Sequence, residues 1–220
     1  MEIHDHLLQF TIFQGMSHAD LMEVVGHTKL GFTKLAAGKW LVKEGEPCSH
    51  LYFLTNGTLH CETSNDNHSY RVVEHMAAPY MLPCEQLFGL SPLHTSSYKA
   101  ETPCNLITID KQEVRLLLET QLVFRLNVLN TLAAETQRLR HRAWRSAPRQ
   151  LRERVIRFLF SRCLYPAGSK TFFILMKQMA EELNASRLDI SHVLNEMQND
   201  NLLTLHRGRI EIPMIERLLM

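Results

Sequence analysis

The chain has 220 residues, of which 45% are hydrophobic and 21% charged, as in an ordinary globular protein with one or two cores. Its first residues lack a basic segment followed by an apolar run, and no stretch approaches the roughly 18 apolar residues of a membrane span, so we expect a cytoplasmic protein without a signal peptide. The net charge of +1 hides an asymmetry: residues 1–137 carry 9 Lys and Arg against 15 Asp and Glu, whereas residues 138–220 carry 15 against 8. This split predicts that only the C-terminal part binds a polyanion.

The cysteines are far apart and include no C-x-x-C pair. The five are Cys48, Cys61, Cys84, Cys104 and Cys163. Their spacing argues against a zinc ribbon or a compact iron–sulfur site, and their odd number argues against a disulfide framework. We therefore predict reduced thiols and no metal site.

Short helices open the chain, and short strands follow. Apolar residues recur at helical spacing over residues 3–30, with Ser17 as a predicted N-cap and Asp20 in the first turn. From about residue 30 to 110, short apolar runs separated by turn residues predict an antiparallel sandwich or jelly roll. Asn56-Gly57, between "LYFL" and "TLHCE", predicts a type I′ hairpin, and "SNDNHS" predicts a second turn.

Residues 110–145 return to a helical pattern with a heptad seam. The seam positions follow steps of 3 and 4: Leu129, Leu132, Thr136, Leu139 and Ala143. Such a seam favours dimerisation through this helix, although one amphipathic helix packed on its own domain would give the same pattern. Pro148 cannot continue the helix, so we place a hinge from Ala143 to Pro148 and predict Ser146 as the N-cap of the next helix.

The stretch "AEELNASRLDISHVLNEM" (residues 180–197) has the pattern of two helices joined by a sharp corner. Asn184 tolerates left-handed backbone geometry and can end the first helix, while Ser186 can cap the second with Asp189 completing an approximate capping box. The inward faces are apolar: Met179, Ala180 and Leu183, then Ile190, Val193, Leu194 and Met197. This is a helix-turn-helix pattern.

The outward face of the second helix suits base reading. Behind it, "LLTLHRGRIEIP" predicts a β-hairpin around Arg207-Gly208, which would make the module a winged helix, and "MIERLLM" predicts a short closing helix. The predicted DNA-binding residues are Lys177, Ser186, Arg187, Leu188, Ser191, His192, Asn195, Arg207 and Arg209. The same corner could be an ordinary helical hairpin in a core, with Arg187 merely solvated. The predicted wing and the basic charge of the C-terminal part favour a DNA-binding module instead. The run "RLRHRAWRSAPRQLRERVIR" reads as a solvated face, some of whose arginines can touch flanking phosphates.

Three motifs in this order resemble the Crp/Fnr family of bacterial transcription regulators over nearly the whole chain. They are G-x-x-L-x-x-x-G-E (Gly38, Leu41, Gly45, Glu46), "LYFLTNGTL" and "LNASRLDISHVL". The resemblance implies an α+β protein: a cyclic-nucleotide-binding-type β-roll (a double-stranded jelly roll) over 1–112, a dimerisation helix and hinge over 113–145, and a winged helix-turn-helix over 146–220. It also implies a homodimer on a pseudo-palindromic DNA site, with RNA polymerase as a further partner.

The expected effector pocket departs from the family pattern. Pro83 and Cys84 stand where Gly-Glu is expected and His94-Thr95 where Arg-Ser is expected, while Glu85 could supply the acid after a one-residue shift. Without an arginine the cyclic phosphate loses its bidentate partner, which argues against cyclic AMP. The family's iron–sulfur members use cysteines near the N-terminus, whereas the first here is Cys48. Haem stays open, since twelve histidines offer axial ligands.

In the reading helix, the family's Arg-Glu pair becomes Arg187-Leu188, and a later arginine becomes His192. Leucine cannot accept a hydrogen bond from the cytosine amino group but can touch a thymine methyl group, so we expect a different half-site. A regulator without a ligand, controlled by abundance or a partner protein, remains an alternative. A cupin-like metal enzyme is a distant one, because the only His-x-His is His4-Asp5-His6. We predict no catalytic residues.

Overall fold

The computed structural model describes residues 3–146 and 148–219, which form two compact units. The first contains the described residues up to Leu59 together with Met76–Thr95 and Lys99–Arg145. The second contains His60–His75, Ser96–Tyr98 and the described residues from Ser146 onward. None of the helices in these described ranges is long and apolar enough to cross a membrane.

Two helices, α1 (Ile3–Leu7) and α2 (His18–His27), with a 3-10 turn between them, begin the first unit. Ser17 is the N-cap of α2, as predicted. The Asp20 amide donates to the Ser17 hydroxyl at 3.1 Å, and the Ser17 amide donates to the Asp20 carboxylate at 3.1 Å, which completes a capping box.

The predicted antiparallel roll is present. Its strands are β1 (Leu30–Leu35), β2 (Trp40–Val42), β3 (His50–Asn56), β4 (Thr58–Ser64), β5 (Arg71–Ala77), β6 (Tyr80–Met81), β7 (Ser97–Ala100) and β8 (Cys104–Asp110). In the first unit, one sheet has the order β1-β8-β3-β6. Its inner face packs on the N-terminal helices, with Phe53 and Ile109 fully buried.

The predicted hairpin at Asn56-Gly57 is wrong. β3 pairs with β8 and β6, whereas β4 lies beside β5 and β7 in another sheet, so the chain changes sheets at Gly57. Only Gly57 of the two has positive φ, at 95°, whereas a type I′ turn needs both. A Cβ on Gly57 would lie 2.5 Å from the Pro103 carbonyl oxygen, so glycine is required here for close packing. "SNDNHS" does connect β4 to β5.

Two consecutive helices close the first unit: α3 (Lys111–Thr120) and α4 (Leu122–Ala143). Asp110 caps α3, because its carboxylate accepts from the Gln112 and Glu113 amides at 2.8 and 2.9 Å. α4 buries Phe124 and Val128 in the core of this unit and leaves its opposite face exposed.

The second unit holds the remaining elements. They are α5 (Leu151–Ser161), β9 (Lys170–Phe173), α6 (Met176–Glu182), α7 (Arg187–Asn199), β10 (Thr204–His206), β11 (Arg209–Ile212) and a closing 3-10 helix (Ile215–Leu219). The prediction of Ser146 as an N-cap is wrong: α5 begins at Leu151 behind Gln150, and the Ser146 carbonyl instead accepts from Arg157 Nη1 at 2.6 Å. The predicted hinge includes residue 147, which lies outside the described residues, and the side chain of Ala143 is likewise not described.

A sheet in the order β10-β11-β9-β5 crosses the second unit. The predicted hairpin around Arg207-Gly208 is confirmed as β10 and β11, and β9 pairs with β11 on one side. On its other side β9 pairs with Arg71–Glu74 of β5, a segment distant in sequence. Tyr70 and Val72 accordingly belong to the hydrophobic core of this unit.

Candidate nucleic-acid interface and sensory site

The corner between α6 and α7 has the local geometry that its residues predict. Asn184 has a φ of 46°, and the Ala185 amide donates to the Ala180 carbonyl at 3.0 Å, which ends α6. Ser186 caps α7, since its hydroxyl accepts from the Asp189 amide at 3.1 Å. The Asp189 carboxylate accepts from the Ser186 hydroxyl at 2.7 Å instead of from the backbone, so the capping box is only partial.

The predicted inward faces lie in the core. The buried residues are Met179, Ala180, Ile190, Val193, Leu194 and Met197, with Leu183 partly buried beside them. Since these side chains fix α7 by one face, its other face is held outward.

The outward face of α7 carries the predicted reading residues. Arg187, Leu188, His192 and Asn195 are exposed and Ser191 is half-buried. Leu188 is 79% exposed, an unusual position for a leucine that serves only packing. No hydrogen bond or ion pair within the described residues holds Arg187, so its guanidinium has its donors available for a ligand.

Two of the reading residues have internal partners. His192 Nδ1 lies 3.3 Å from a carboxylate oxygen of Glu196. The Asn195 amide group donates to the Ser191 carbonyl at 2.7 Å. Both side chains would have to exchange these contacts for contacts with bases, and both remain accessible enough to do so.

The corner and the wing form one cleft. Lys177, Arg187 and Arg207 all line this space of about 400 Å³, together with Leu175 and His206. Lys177 is 80% exposed and only loosely paired with Glu181 at 3.8 Å. Arg209 lies outside the lining and pairs with Glu211 at 3.1 Å. Three of the predicted basic residues therefore come together, and the fourth does not.

Several arginines of the 138–157 run have internal partners. Arg152 pairs with Asp200 at 2.7 Å, and Arg138 pairs with Glu135 at 2.6 Å. Arg154 Nη1 donates to the Leu183 carbonyl at 3.1 Å, next to the corner. Several arginines of this run are therefore held by contacts within the protein, while Arg140, Arg145 and Arg149 remain exposed.

The predicted effector-pocket residues occupy two segments of the first unit that meet. Gln86 Nε2 donates to the Thr95 hydroxyl at 2.6 Å, which joins the Cys84–Glu85 segment to His94–Thr95. The backbone of His94 is tied to the G-E motif, because its amide donates to the Glu46 carbonyl at 2.9 Å and its carbonyl accepts from the Gly45 amide at 2.8 Å. Cys84 and His94 are buried, whereas Glu85 and Thr95 are exposed.

The ionisable groups at this site favour their neutral forms. Burial, and then the nearby Glu85, raise the pKa of Cys84 to about 11. Burial also lowers the pKa of His94, which is 5% exposed. Among the described residues, none hydrogen-bonds to the buried Nε2 atom of His94. A neutral imidazole here cannot replace the fixed charge of an arginine.

Cys48 is a neighbour of Cys84 that the sequence pattern did not assign to this site. Burial raises its pKa, as does Glu85, which also acts on Cys84. The ring of Tyr52 lies beside that of His94, with centroids 6.2 Å apart and the two planes tilted by 54°. Cys48 directly follows Gly45-Glu46-Pro47 in the sequence. Because the backbone of Gly45 and Glu46 is hydrogen-bonded to that of His94, this position could have indicated that Cys48 lies near the site.

All five cysteines are buried, and none forms a disulfide within the described residues. No cluster of three or more His, Cys, Asp or Glu in the described ranges has the arrangement of a metal site. In the His4-Asp5-His6 segment, the ring of His4 instead packs edge-on against His18 at 5.0 Å.

The exposed face of α4 is an apolar stripe. Leu122, Leu126 and Leu129 are 57%, 49% and 55% exposed, and Ala133 and Thr136 continue the same face by steps of 4 and 3. Of the other predicted seam residues, Leu139 is exposed at the edge of the stripe, and Leu132 packs partly on the core of its own unit. The stripe thus extends two turns further toward the N-terminus than the predicted seam.

Comparison with known proteins agrees with this architecture. A cyclic nucleotide-binding domain model matches residues 32–121, and a Crp-like helix-turn-helix domain model matches residues 153–220, together more than two thirds of the chain. No sequence among curated proteins matches.

Among solved structures, the catabolite activator protein of Thermus thermophilus is 16% identical, with a TM-score of 0.53 and 96% of each chain covered. A Crp/Fnr-family regulator of Eubacterium rectale is 17% identical, with the same TM-score and coverage. The sensor domain of the regulator DNR of Pseudomonas aeruginosa is 18% identical over 69% of this chain and 100% of that one, with a TM-score of 0.53. At these low sequence identities, the likeness to solved structures shows only that this chain shares their fold.

The cyclic nucleotide-binding-type roll, the long helix and the Crp-like helix-turn-helix domain together define a transcription regulator. The chain belongs to the Crp/Fnr family.

Proposed function

We propose that this regulator binds a specific DNA sequence as a homodimer, with α7 of each protomer in a major groove. The cleft in which Lys177, Arg187 and Arg207 converge carries the proposal. Cations from the corner and the wing on one surface, next to an exposed helix N-terminus, are what phosphate and base contacts need.

The partner on the α4 stripe is a second copy of this chain. The stripe of Leu122, Leu126 and Leu129, continued by Ala133 and Thr136 on a 22-residue helix, suits parallel packing against the same stripe of another protomer. Two reading helices related by a two-fold axis would enter grooves about 34 Å apart, which demands a pseudo-palindromic site.

Each protomer would read its half-site with the first two turns of α7. The free guanidinium of Arg187 can donate two hydrogen bonds to one guanine. Leu188, exposed beside it, can contact a thymine methyl group. Ser186 contributes through the helix N-terminus, because its hydroxyl already bonds Asp189.

The roll would sense an effector other than cyclic AMP. His94 and Thr95 offer no permanent charge to a cyclic phosphate, and the thiols of Cys48 and Cys84 are buried and neutral. An effector would bias α4 and the segment after it, and so change the spacing of the reading helices. RNA polymerase is the expected partner of the DNA-bound dimer.

Selection of binding sites from genomic DNA tests the proposal. Purified protein should enrich duplexes that share two inverted half-sites, and the enrichment should fall as salt rises. Equal affinity for all duplexes would refute sequence-specific binding.

The missing arginine also supports a second candidate, a regulator of the same fold without a small-molecule effector. A thermal-shift screen against cyclic nucleotides, haem and small organic acids separates the two. A compound that both stabilises the protein and changes its affinity for the selected duplex would eliminate the second candidate. Stabilisation by none of them, with unchanged DNA binding, would favour it.

A further inference from the structure

The β4–β5 hairpin, residues 60–75, is built into the second unit although its sequence lies within the roll. Arg71, Val72, Val73 and Glu74 pair antiparallel with Phe173, Phe172, Thr171 and Lys170, respectively. Val72 and Tyr70 are 2% and 5% exposed within the core that also contains Phe172 and Ile190. The hairpin thus supplies both a strand and core side chains to the unit that carries the reading helix.

A buried ion pair fastens this strand. Lys170 Nζ lies 2.9 Å from Glu74 Oε1, and both side chains are 1% exposed. The Glu74 carboxylate also accepts hydrogen bonds from the Leu164 and Tyr165 amides at 2.8 and 3.1 Å. A carboxylate with three donors is well satisfied, whereas either charge left alone at such depth would be strongly destabilising.

The pairing also sets the start of α6. Only Ile174 and Leu175 separate β9 from α6, so the position of β9 fixes that of the helix. In addition, Gln178 Nε2 in α6 donates to the Ser69 carbonyl at 2.8 Å, and its Oε1 accepts from the Leu175 amide at 3.0 Å. The tip of the hairpin therefore touches the first turn of the helix that precedes the corner.

We propose that the β4–β5 hairpin is a structural part of the DNA-binding unit, and that Glu74 and Lys170 are positioning residues for α6 and α7. Because the hairpin is continuous in sequence with β3 and β6 of the roll, it is a covalent route, separate from α4, by which a change in the roll reaches the reading helix. The expected effect on DNA affinity rests on the proposed function, whereas the docking of the hairpin on β9 does not.

Hydrogen exchange and DNA affinity of the full-length protein test the proposal together. In Glu74→Gln, the amides of residues 164–165 and 170–173 should exchange about a hundredfold faster, because Lys170 loses its partner. Affinity for the selected duplex should fall about tenfold. Segments of the first unit such as 104–120 should keep their exchange rates.

Glu62→Gln is the matched control. Glu62 lies on the same hairpin and pairs with Arg71 at 3.3 Å, but its side chain is 33% exposed. Its loss should therefore change neither readout appreciably. If Glu74→Gln behaves like Glu62→Gln, the hairpin is not fastened by this pair and the proposal fails.

The double variant Glu74→Gln/Lys170→Met keeps the test decisive even if the single variants fold poorly. Removal of both charges leaves no unpaired ion, so protection of 170–173 should recover at least tenfold relative to either single variant. Additive losses instead would overturn the coupling of the two residues. Faster exchange with unchanged DNA affinity would overturn the positioning role of Glu74 and Lys170. If the wild type binds no duplex, the proposed function is refuted, but the exchange rates still decide whether the hairpin is docked on β9.

Discussion

At the scale of single residues, the proposed function assigns base recognition chiefly to Arg187. Arg187→Ala should weaken binding to the selected duplex by about 1–3 kcal/mol and relax preference at one base position of each half-site. Competition binding against duplexes with every base at that position measures both effects. Arg115→Ala is a suitable control, since Arg115 is exposed on α3 and paired with Glu119. Equal losses in the two variants would contradict base reading by Arg187.

Leu188 makes a separate prediction about specificity. Leu188→Glu replaces an exposed apolar group by an acceptor for the cytosine amino group, so the base preferred at its contact should change toward cytosine. Because Leu188 is 79% exposed, the substitution removes little packing and should leave the fold intact. Site selection with the variant provides the measurement. Recovery of the wild-type site would show that Leu188 does not face a base.

The buried thiols predict a loss of stability in alkali. The pKa of Cys84 is raised to about 11 and that of Cys61 to about 12, both mainly by burial, from an ordinary value of 9.0. Above pH 9 the unfolded chain therefore binds fewer protons than the native one, and the free energy of unfolding falls as pH rises. Urea midpoints from pH 8 to 11 should decline, and Cys84→Ala should make the decline shallower. A midpoint independent of pH would contradict this.

At the scale of elements, the α4 stripe predicts how the proposed dimer would be held. Leu129→Asp should raise the dimer dissociation constant about a hundredfold or more, since each protomer loses a leucine contact and gains a charge at the interface. Sedimentation at several concentrations measures it. Leu116→Asp, on α3 at 45% exposure and outside the stripe, should leave the dimer intact. Dissociation by Leu116→Asp alone would place the interface elsewhere.

Local patterns predicted the elements well where the decisive forces are local. The Ser17 capping box, the Asn184 corner and the Arg207-Gly208 hairpin depend on residues a few positions apart. The inward faces of α6 and α7 follow from helical periodicity.

Predictions failed where the partner of a segment is distant. Asn56-Gly57 has the dipeptide of a tight hairpin, but Pro103 and Cys104 occupy the space beside Gly57 and the chain changes sheets there. Ser146 has the chemistry of a cap, yet α5 begins five residues later. Nothing near Glu74 in the sequence indicates that its partner is Lys170.

At the scale of the whole molecule, DNA affinity should depend steeply on salt. Each phosphate contact contributes about 0.9 to the slope of log K against log salt. Because a dimer contains two copies of each residue, Lys177→Gln should reduce the magnitude of this slope by about 1.8. Lys99→Gln, beside Trp40 in the first unit, should not alter it. A slope unchanged by Lys177→Gln would remove that lysine from the interface.

The β5–β9 pairing has a consequence for how such regulators can be recombined. A chimera that takes only residues 146–220 from one protein would receive β9 and β11 without β5, and would bury Lys170 opposite a foreign residue. The unit that can be exchanged is discontinuous: it includes residues 60–75 as well. The same discontinuity means that, during synthesis, the hairpin emerges long before the strand that it completes.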